Sequence, residues 1–296
     1  MKPYWLLLVF LLNACKDDNK KENSTMAETI SVELRFNETF KGFLARSPLQ
    51  FEQDCLKEAD FCSYEFGRSM NEPNLPSIFI EQSGQRLTLK NVVAITTSSN
   101  MQASSEIDNF QLTVRGLPDD SSHEENKAFI YAIIETIKSN GWSRLISPTS
   151  PRVSGSQAEK IHSADTVHGV YISSHPWFDP DYTLDMERWM KWGSFYSWDF
   201  YNNGLYMTLN AWRQKSQTEP QNKGTYLITL ELQTDAKYWK KSFETEEQQR
   251  DWISLIPELK NKYITIRSRD EKTLRAAGIA IDEDYQDPPI KALEKQ

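Results

Sequence analysis

Three consecutive β-strands constrain the fold of this chain more than any other feature. Residues 202–204 (NNG) separate the stretches SFYSWDFY and LYMTLNAW, and an Asn-Gly pair between two such stretches is typical of the tight type I′ turn of a hairpin. Residues 225–232 (TYLITLEL) alternate in polarity and follow a further turn at 222–224. The sequence therefore predicts a three-stranded antiparallel sheet in this region.

The first half of the chain predicts a second sheet with a helix. Residues 30–36 and 110–114 alternate in polarity as half-buried strands do, and residues 75–95 have the pattern of a hairpin. Ser122 and Glu125 have the spacing of a capping box, and apolar residues recur after them at helical spacing. A strand, a helix and a hairpin in this order are typical of an α+β sandwich.

The length of the chain predicts two domains. At about 150 residues per domain, 296 residues correspond to an N-terminal domain at 30–150 and a C-terminal domain at 169–296 that holds the aromatic-rich sheet. Residues 147–160 are rich in Ser and Pro, which predicts a linker or a long loop at 151–168. The predicted fold class is α+β, with two small domains, each a mainly antiparallel sheet packed against helices.

Acidic residues outnumber basic ones. Asp and Glu number 42 against 34 Lys and Arg, which gives a formal net charge of -8. This balance argues against a nucleic-acid-binding protein, which needs a basic face to displace counterions from phosphates. It leaves a cationic protein as a possible partner.

The N-terminus has the features of an export signal. Lys2 precedes the apolar run 5–12, whose length of about 12 Å is far less than the roughly 30 Å of a bilayer core. The following Leu12-Asn13-Ala14-Cys15 resembles the lipobox of bacterial lipoproteins, although Asn13 is unusual there. This resemblance implies a signal peptide at 1–14 and a lipid such as palmitate on Cys15. An ordinary signal peptide is the alternative.

A polar segment follows the lipobox. Residues 15–29 contain almost no large apolar side chains after the cysteine, which predicts a disordered tether between a lipid anchor and the folded chain. Lys16, directly after Cys15, favours the outer over the inner membrane by resemblance to enterobacterial sorting. We therefore expect a periplasm-facing lipoprotein of the bacterial cell envelope.

Two further cysteines remain, Cys55 and Cys62. An even pair in an exported protein predicts a disulfide, which would close a short loop. A zinc site is the weaker interpretation, because neither cysteine has a nearby histidine to complete four ligands.

The second half of the chain is dense in aromatic residues. In SFYSWDFY one alternating face is almost entirely aromatic and the other is mixed, so both faces cannot lie in one simple core. Exposed Trp and Tyr dominate the hot spots of protein interfaces, whereas burial in a core is the common alternative. A sugar-binding platform would use the same residue types. The candidate partner-binding residues are Trp189, Trp192, Tyr196, Trp198, Phe200 and Tyr201.

No catalytic or cofactor-binding motif is present in the sequence. G-x-S-x-G, Walker and G-x-G-x-x-G patterns are missing, and the start of H-E-x-x-H at His123 ends on Lys127. A metal site from His162, His168 and an acid is conceivable, but histidines in a loop are usually solvated. We expect a protein that is not an enzyme and has no cofactor, with a hydrolase as the alternative, because triads assemble in space.

Residues 116–142 with 147–157, and residues 181–213, resemble periplasmic lipoproteins of Acinetobacter-like proteobacteria that are encoded among type VI secretion genes. Small lipoproteins of such clusters act as immunity proteins against lipase or peptidoglycan-degrading effectors. The resemblance implies a binding module that covers the catalytic cleft of a toxin. The alternative is a structural or assembly lipoprotein that binds peptidoglycan, lipopolysaccharide or an outer-membrane protein.

Overall fold

The computed structural model describes residues 30–100, except 57 and 59, and residues 106–294. The predicted signal peptide, the lipidation at Cys15 and the tether lie outside the described residues. The strands are β1 (Ser31–Glu33), β2 (Glu52–Leu56), β3 (Phe61–Gly67), β4 (Ser77–Gln82), β5 (Gln85–Leu89), β6 (Val92–Asn100), β7 (Asn109–Val114), β8 (Ser121–Ser122), β9 (Ser143–Arg144), β10 (Phe195–Asn202), β11 (Leu205–Lys215) and β12 (Lys223–Thr234). The helices are α1 (Phe40–Arg46), α2 (His123–Ser139), α3 (Met186–Lys191), α4 (Asp235–Lys240), α5 (Glu246–Arg250) and α6 (Trp252–Ala276).

The strands form two sheets. A three-stranded sheet has the order β1-β4-β5, in which β1 is parallel to β4 and β5 is antiparallel to it. The other nine strands form one antiparallel sheet in the order β2-β3-β6-β7-β12-β11-β10-β9, and β8 pairs with the start of β12. Together with the helices, these sheets confirm the α+β class.

The large sheet takes strands from both predicted domains. β7, which precedes the segment 151–168, pairs with β12, which follows it. The segment itself is a packed loop with a 3₁₀ helix at Gly155–Lys160, and its few apolar residues Val153, Ala158 and Ile161 are buried. Strand pairing across the segment therefore joins the two regions into one sheet.

The predicted hairpin turn is confirmed. Asn203 and Gly204 connect β10 and β11, and their φ angles of 44° and 91° both lie in the left-handed region that a type I′ turn requires. β12 then pairs with β11 along its length. The three consecutive strands predicted from the sequence form one end of the large sheet.

The large sheet has an inner face that is covered by α2 and α3. The predicted capping box is present, since the Ser122 side chain accepts from the Glu125 N–H and the Glu125 carboxylate accepts from the Ser122 N–H. Ile130, Ile134 and Ile137 of α2 are fully buried. Burying each such side chain stabilises the fold by about 1.5–3 kcal/mol, so α2 contributes strongly to the packing of this face.

The other face of the sheet is partly covered by α4, α6 and the C-terminal segment. Arg267 of α6 forms a bidentate ion pair with Asp287, with N–O distances of 2.7 and 3.0 Å, and donates to the carbonyls of Ser147 and Ser150. Residues 264–266 are helical, although their β-branched composition also allowed a strand. These contacts fix the C-terminal segment against α6.

The predicted disulfide is confirmed. Cys55 on β2 and Cys62 on β3 are directly opposite in the register and are joined covalently, with a Cα–Cα distance of 4.1 Å. The link closes the hairpin at the edge of the large sheet. Among the described residues, no helix combines the length and apolar character that a membrane span requires.

Candidate partner-binding surface

Most of the aromatic residues predicted to bind a partner lie in the core. Trp189, Tyr196, Trp198 and Phe200 are fully buried. The last three alternate on the inner face of β10, and Trp189 of α3 stacks on Tyr196 with ring centroids 4.2 Å apart. The prediction of a surface role for these residues is therefore corrected, because α2 and α3 cover the aromatic face.

The other two predicted residues are also engaged within the chain. Trp192 is partly buried, lies edge-on to Phe178 at 4.4 Å between ring centroids, and donates its indole N–H to the carbonyl of Phe195. Tyr201 is buried, and its hydroxyl donates to the carbonyl of Pro289 at 2.7 Å. Trp192 and Tyr201 are therefore not among the exposed aromatic side chains of this region.

Three exposed apolar residues lie together on the outer face, the side of the large sheet opposite α2 and α3. Phe195, Trp212 and Leu227 are consecutive in the register across β10, β11 and β12. Their side chains are 69%, 39% and 40% exposed, and the Phe195 and Trp212 rings are 6.4 Å apart. We call these three residues the apolar stripe. The mixed alternation of SFYSWDFY indicated that some rings reach solvent, and Phe195 is one of them.

Arg213 lies on the inner face of β11, next to Trp212 of the apolar stripe. Its guanidinium is buried and donates to the carbonyls of Trp189, Trp192 and Gly193 at 2.9–3.2 Å. These carbonyls lie at the C-terminal end of α3, where a cation interacts favourably with the helix dipole. The strand β11, which carries Trp212 of the stripe, is therefore bound to the end of α3 on the inner face.

A polar row crosses the same outer face four residues along the strands from the apolar stripe, and the uncharged Ser197, Asn210 and Thr229 lie between them. Seven residues are consecutive in the register across seven strands: Asp199, Thr208, Glu231, Gln111, Thr96, Glu65 and Glu52. Four are carboxylates, and none is Lys or Arg. We call this set the acidic row. Sequence reasoning missed it because the row exists only once strands that are distant in the chain are paired.

The two ends of the acidic row differ in charge balance. On β12, Glu231 forms an ion pair with Lys241 at 3.1 Å. On β10, burial and the proximity of Glu231 raise the pKa of Asp199, although Thr208 donates a hydrogen bond to it at 2.7 Å. At the β2–β3 end both carboxylates are exposed. The negative charge is therefore strongest at the disulfide-linked edge.

Glu52 and Glu65, the two carboxylates at that edge, are directly opposite on antiparallel strands. Like charges in this arrangement destabilise a strand pair. The hydroxyl of Ser63 donates to Glu65 at 2.7 Å, which compensates only part of this repulsion. A cation placed between the two carboxylates would relieve the remaining repulsion.

The size of the outer face matches a protein interface. At about 4.8 Å between strands, seven strands span about 29 Å. A standard interface that buries about 800 Å² per partner has a similar width. At the end of the strands where Tyr206 lies, Trp239 and Ile290 pack on Tyr206 and cover this face. The open part is therefore a sheet surface bounded by helices on one side.

The structure brings no metal-ligand set together. His162 and His168, the histidines considered from the sequence, lie in the packed loop 151–168 with exposed positions. Among the described residues, no group of three or more His, Cys, Asp or Glu side chains has a geometry that could hold a metal ion.

Comparison with other proteins adds no family assignment. The chain matches no protein-family model, no curated protein and no solved structure.

Proposed function

We propose that this protein is a membrane-anchored periplasmic lipoprotein whose outer face binds a cationic protein. The specific role that we propose is that of an immunity protein, which occludes the catalytic cleft of a secreted antibacterial effector such as a lipase or a cell-wall hydrolase. The observation that carries the proposal is the apolar stripe together with the acidic row on one open sheet face.

The two parts of the outer face have different roles in this proposal. Exposed Trp and Phe side chains provide large, rigid contact areas, and Trp is enriched among the residues that dominate interface energies. The acidic row attracts a cationic partner, which accelerates association and fixes its orientation. The stripe therefore supplies affinity, and the row supplies selectivity and rate.

The N-terminal sequence supports the location that we propose. The lipobox-like segment ending at Cys15 would attach the chain to a membrane by its lipid, which concentrates the protein where a phospholipase acts. The disulfide between Cys55 and Cys62 is suited to an oxidising compartment such as the periplasm.

A competition experiment tests the function. A strain that lacks this gene is grown with sister cells that secrete an effector encoded beside it. The deletion strain should be killed, and the intact gene should restore survival. We expect Trp212→Ala on the stripe to fail to protect, because it removes the central contact. Tyr171→Ala removes an aromatic ring that is 77% exposed but is not on the large sheet, so it should protect fully.

Two outcomes would reject the proposal. Normal survival of the deletion strain under sister-cell attack would rule out an immunity role, and an envelope-permeability defect without any neighbouring effector would favour the structural role instead. A separate check addresses the anchor: if Cys15→Ser leaves the size and membrane fractionation of the protein unchanged, it is not a lipoprotein.

A further inference from the structure

A second site lies where α4 and α6 meet the covered end of the outer face. A cleft of about 290 Å³ opens there between β11, β12 and the two helices. Its wall includes four aromatic residues: Tyr206, Tyr238, Trp239 and Tyr263. The same four residues also line an adjoining apolar cavity. A concave site that combines aromatic side chains with several convergent polar groups is suited to a small molecule.

One end of the cleft carries a buried acceptor without a donor. Gln233 is 5% exposed, and its side-chain amide donates to Glu231. Its Oε1 receives no hydrogen bond from the described residues. A buried acceptor that lacks a donor costs free energy, so the fold gains when a ligand supplies an N–H or O–H there.

The charges around the cleft favour a neutral ligand. Lys241, which pairs with Glu231, lies at the polar end, and the exposed Lys260 lines the adjoining cavity. Glu231 offsets the charge of Lys241, and Asp287, which lines the same cavity as Lys260, is paired with Arg267. Neither carboxylate is therefore available to pair with a cationic ligand such as an amine. Gln233 Oε1 lacks a donor among the described residues, and a wholly anionic group would not provide one. Hydroxyl groups meet both conditions.

The aromatic wall of the cleft indicates that the ligand has an apolar ring face. Tyr238 stacks on Tyr206 with ring centroids 3.9 Å apart, so these rings form one rigid surface. The hydroxyls of Tyr238 and Tyr263 form no hydrogen bond with described residues and are therefore free to bind a ligand. An apolar ring face can pack on such a surface while polar groups at its edge reach the phenols.

We propose that this cleft binds a neutral pyranose sugar. The apolar C–H face of the sugar ring packs against the tyrosine wall, and one of its hydroxyls donates to Gln233 Oε1. The sugar is either free or a unit of a glycan chain, and the two sources share the same ring chemistry. The site is separate from the apolar stripe and does not depend on the proposed function.

Saturation-transfer NMR and calorimetry with the full protein test this site. The probes are D-glucose, N-acetyl-D-glucosamine and the trisaccharide of N-acetyl-D-glucosamine. We expect at least one of them to bind at millimolar concentration or below. Tighter binding of the trisaccharide would indicate a glycan chain, and equal or weaker binding would indicate a free or terminal sugar.

Matched variants locate the binding. Tyr263→Ala, which removes one wall of the cleft, should raise the dissociation constant about tenfold, a change of 1.4 kcal/mol. Tyr171→Ala makes the same substitution at an exposed tyrosine outside the cleft and should change nothing. Lys260→Ala should not weaken binding, since the ligand is neutral. Circular dichroism checks that each variant folds.

Three results would overturn the proposal: no binding of any of the three sugars, equal loss in Tyr171→Ala and Tyr263→Ala, or a loss confined to Lys260→Ala, which would indicate an anionic ligand. These outcomes are independent of the survival assay, because Trp212→Ala should abolish protection without changing sugar affinity.

Discussion

Trp198 and Trp212 lie on neighbouring strands of the same sheet but on opposite faces. Trp198 on β10 is fully buried beneath α2 and α3, whereas Trp212 on β11 is 39% exposed in the apolar stripe. The two residues have the same side chain and differ only in their environment. They therefore provide a matched pair that separates stability from partner binding.

Replacing each of these tryptophans by alanine should lower the stability by very different amounts. Trp198→Ala should lower the free energy of unfolding by about 3–5 kcal/mol, because it removes a large buried ring and leaves a cavity. Trp212→Ala should lower it by about 1 kcal/mol or less. Urea denaturation measures both. Equal losses of stability would contradict the assignment of the two faces.

Glu65→Gln should stabilise the free protein and weaken partner binding. The substitution keeps an acceptor for the Ser63 hydroxyl and removes the repulsion from Glu52. The free energy of unfolding should rise by roughly 0.2–1 kcal/mol. Glu159→Gln makes the same change of charge in the 3₁₀ helix Gly155–Lys160 and is the control. An unchanged association rate at low salt for Glu65→Gln would contradict the role of the acidic row.

Removing the disulfide should destabilise the edge hairpin. A closed loop of eight residues is worth about 2.5 kcal/mol by the chain-entropy estimate. Cys55→Ser combined with Cys62→Ser should lower the free energy of unfolding by this amount, and dithiothreitol should have the same effect on the wild type alone. A further loss when reductant is added to the double variant would show that reduction acts elsewhere.

His175 should make the protein less stable in acid. Burial lowers the pKa of its imidazole from 6.5 to about 4, and its Nδ1 accepts from the Trp177 N–H. Since the unfolded chain binds the proton more readily, stability is retained above pH 6.5 and is lost as the pH falls towards 4. The full loss is about 3 kcal/mol.

The variant His175→Asn isolates this contribution. Asparagine can still accept a hydrogen bond from the Trp177 N–H, but it does not titrate. Urea denaturation from pH 7.5 to pH 4 should show a shallower decrease in stability for the variant than for the wild type. Parallel curves would show that the carboxylates alone determine the acid sensitivity.

Local elements were well predicted because their signals are local. Asn203 and Gly204 adopt the left-handed conformations that their side chains allow, and Ser122 caps α2 because its hydroxyl reaches the exposed N–H groups of the first turn. The pairing of Cys55 with Cys62 follows from their number and spacing. None of these features needs contacts from a distant part of the chain.

The candidate surface was poorly predicted because it depends on which face of a strand is covered. Alternation in SFYSWDFY separates two faces but does not say which one meets the helices. The aromatic face, with Trp198 and Phe200, packs under α2 and α3, and Phe195 is left exposed on the other side. The acidic row likewise needs Glu52 and Asp199 on strands far apart in the chain to share one register.

The amino-acid sequence by itself determined the α+β composition, the turns, the helix caps and the disulfide, since each arises from residues that are close together along the chain. Only the tertiary structure decided that strands on both sides of residues 151–168 join one sheet, and which aromatic residues are buried. The physical reason is that burial and strand register are set by the packing of distant segments, where many weak contacts act together and no single motif specifies the outcome.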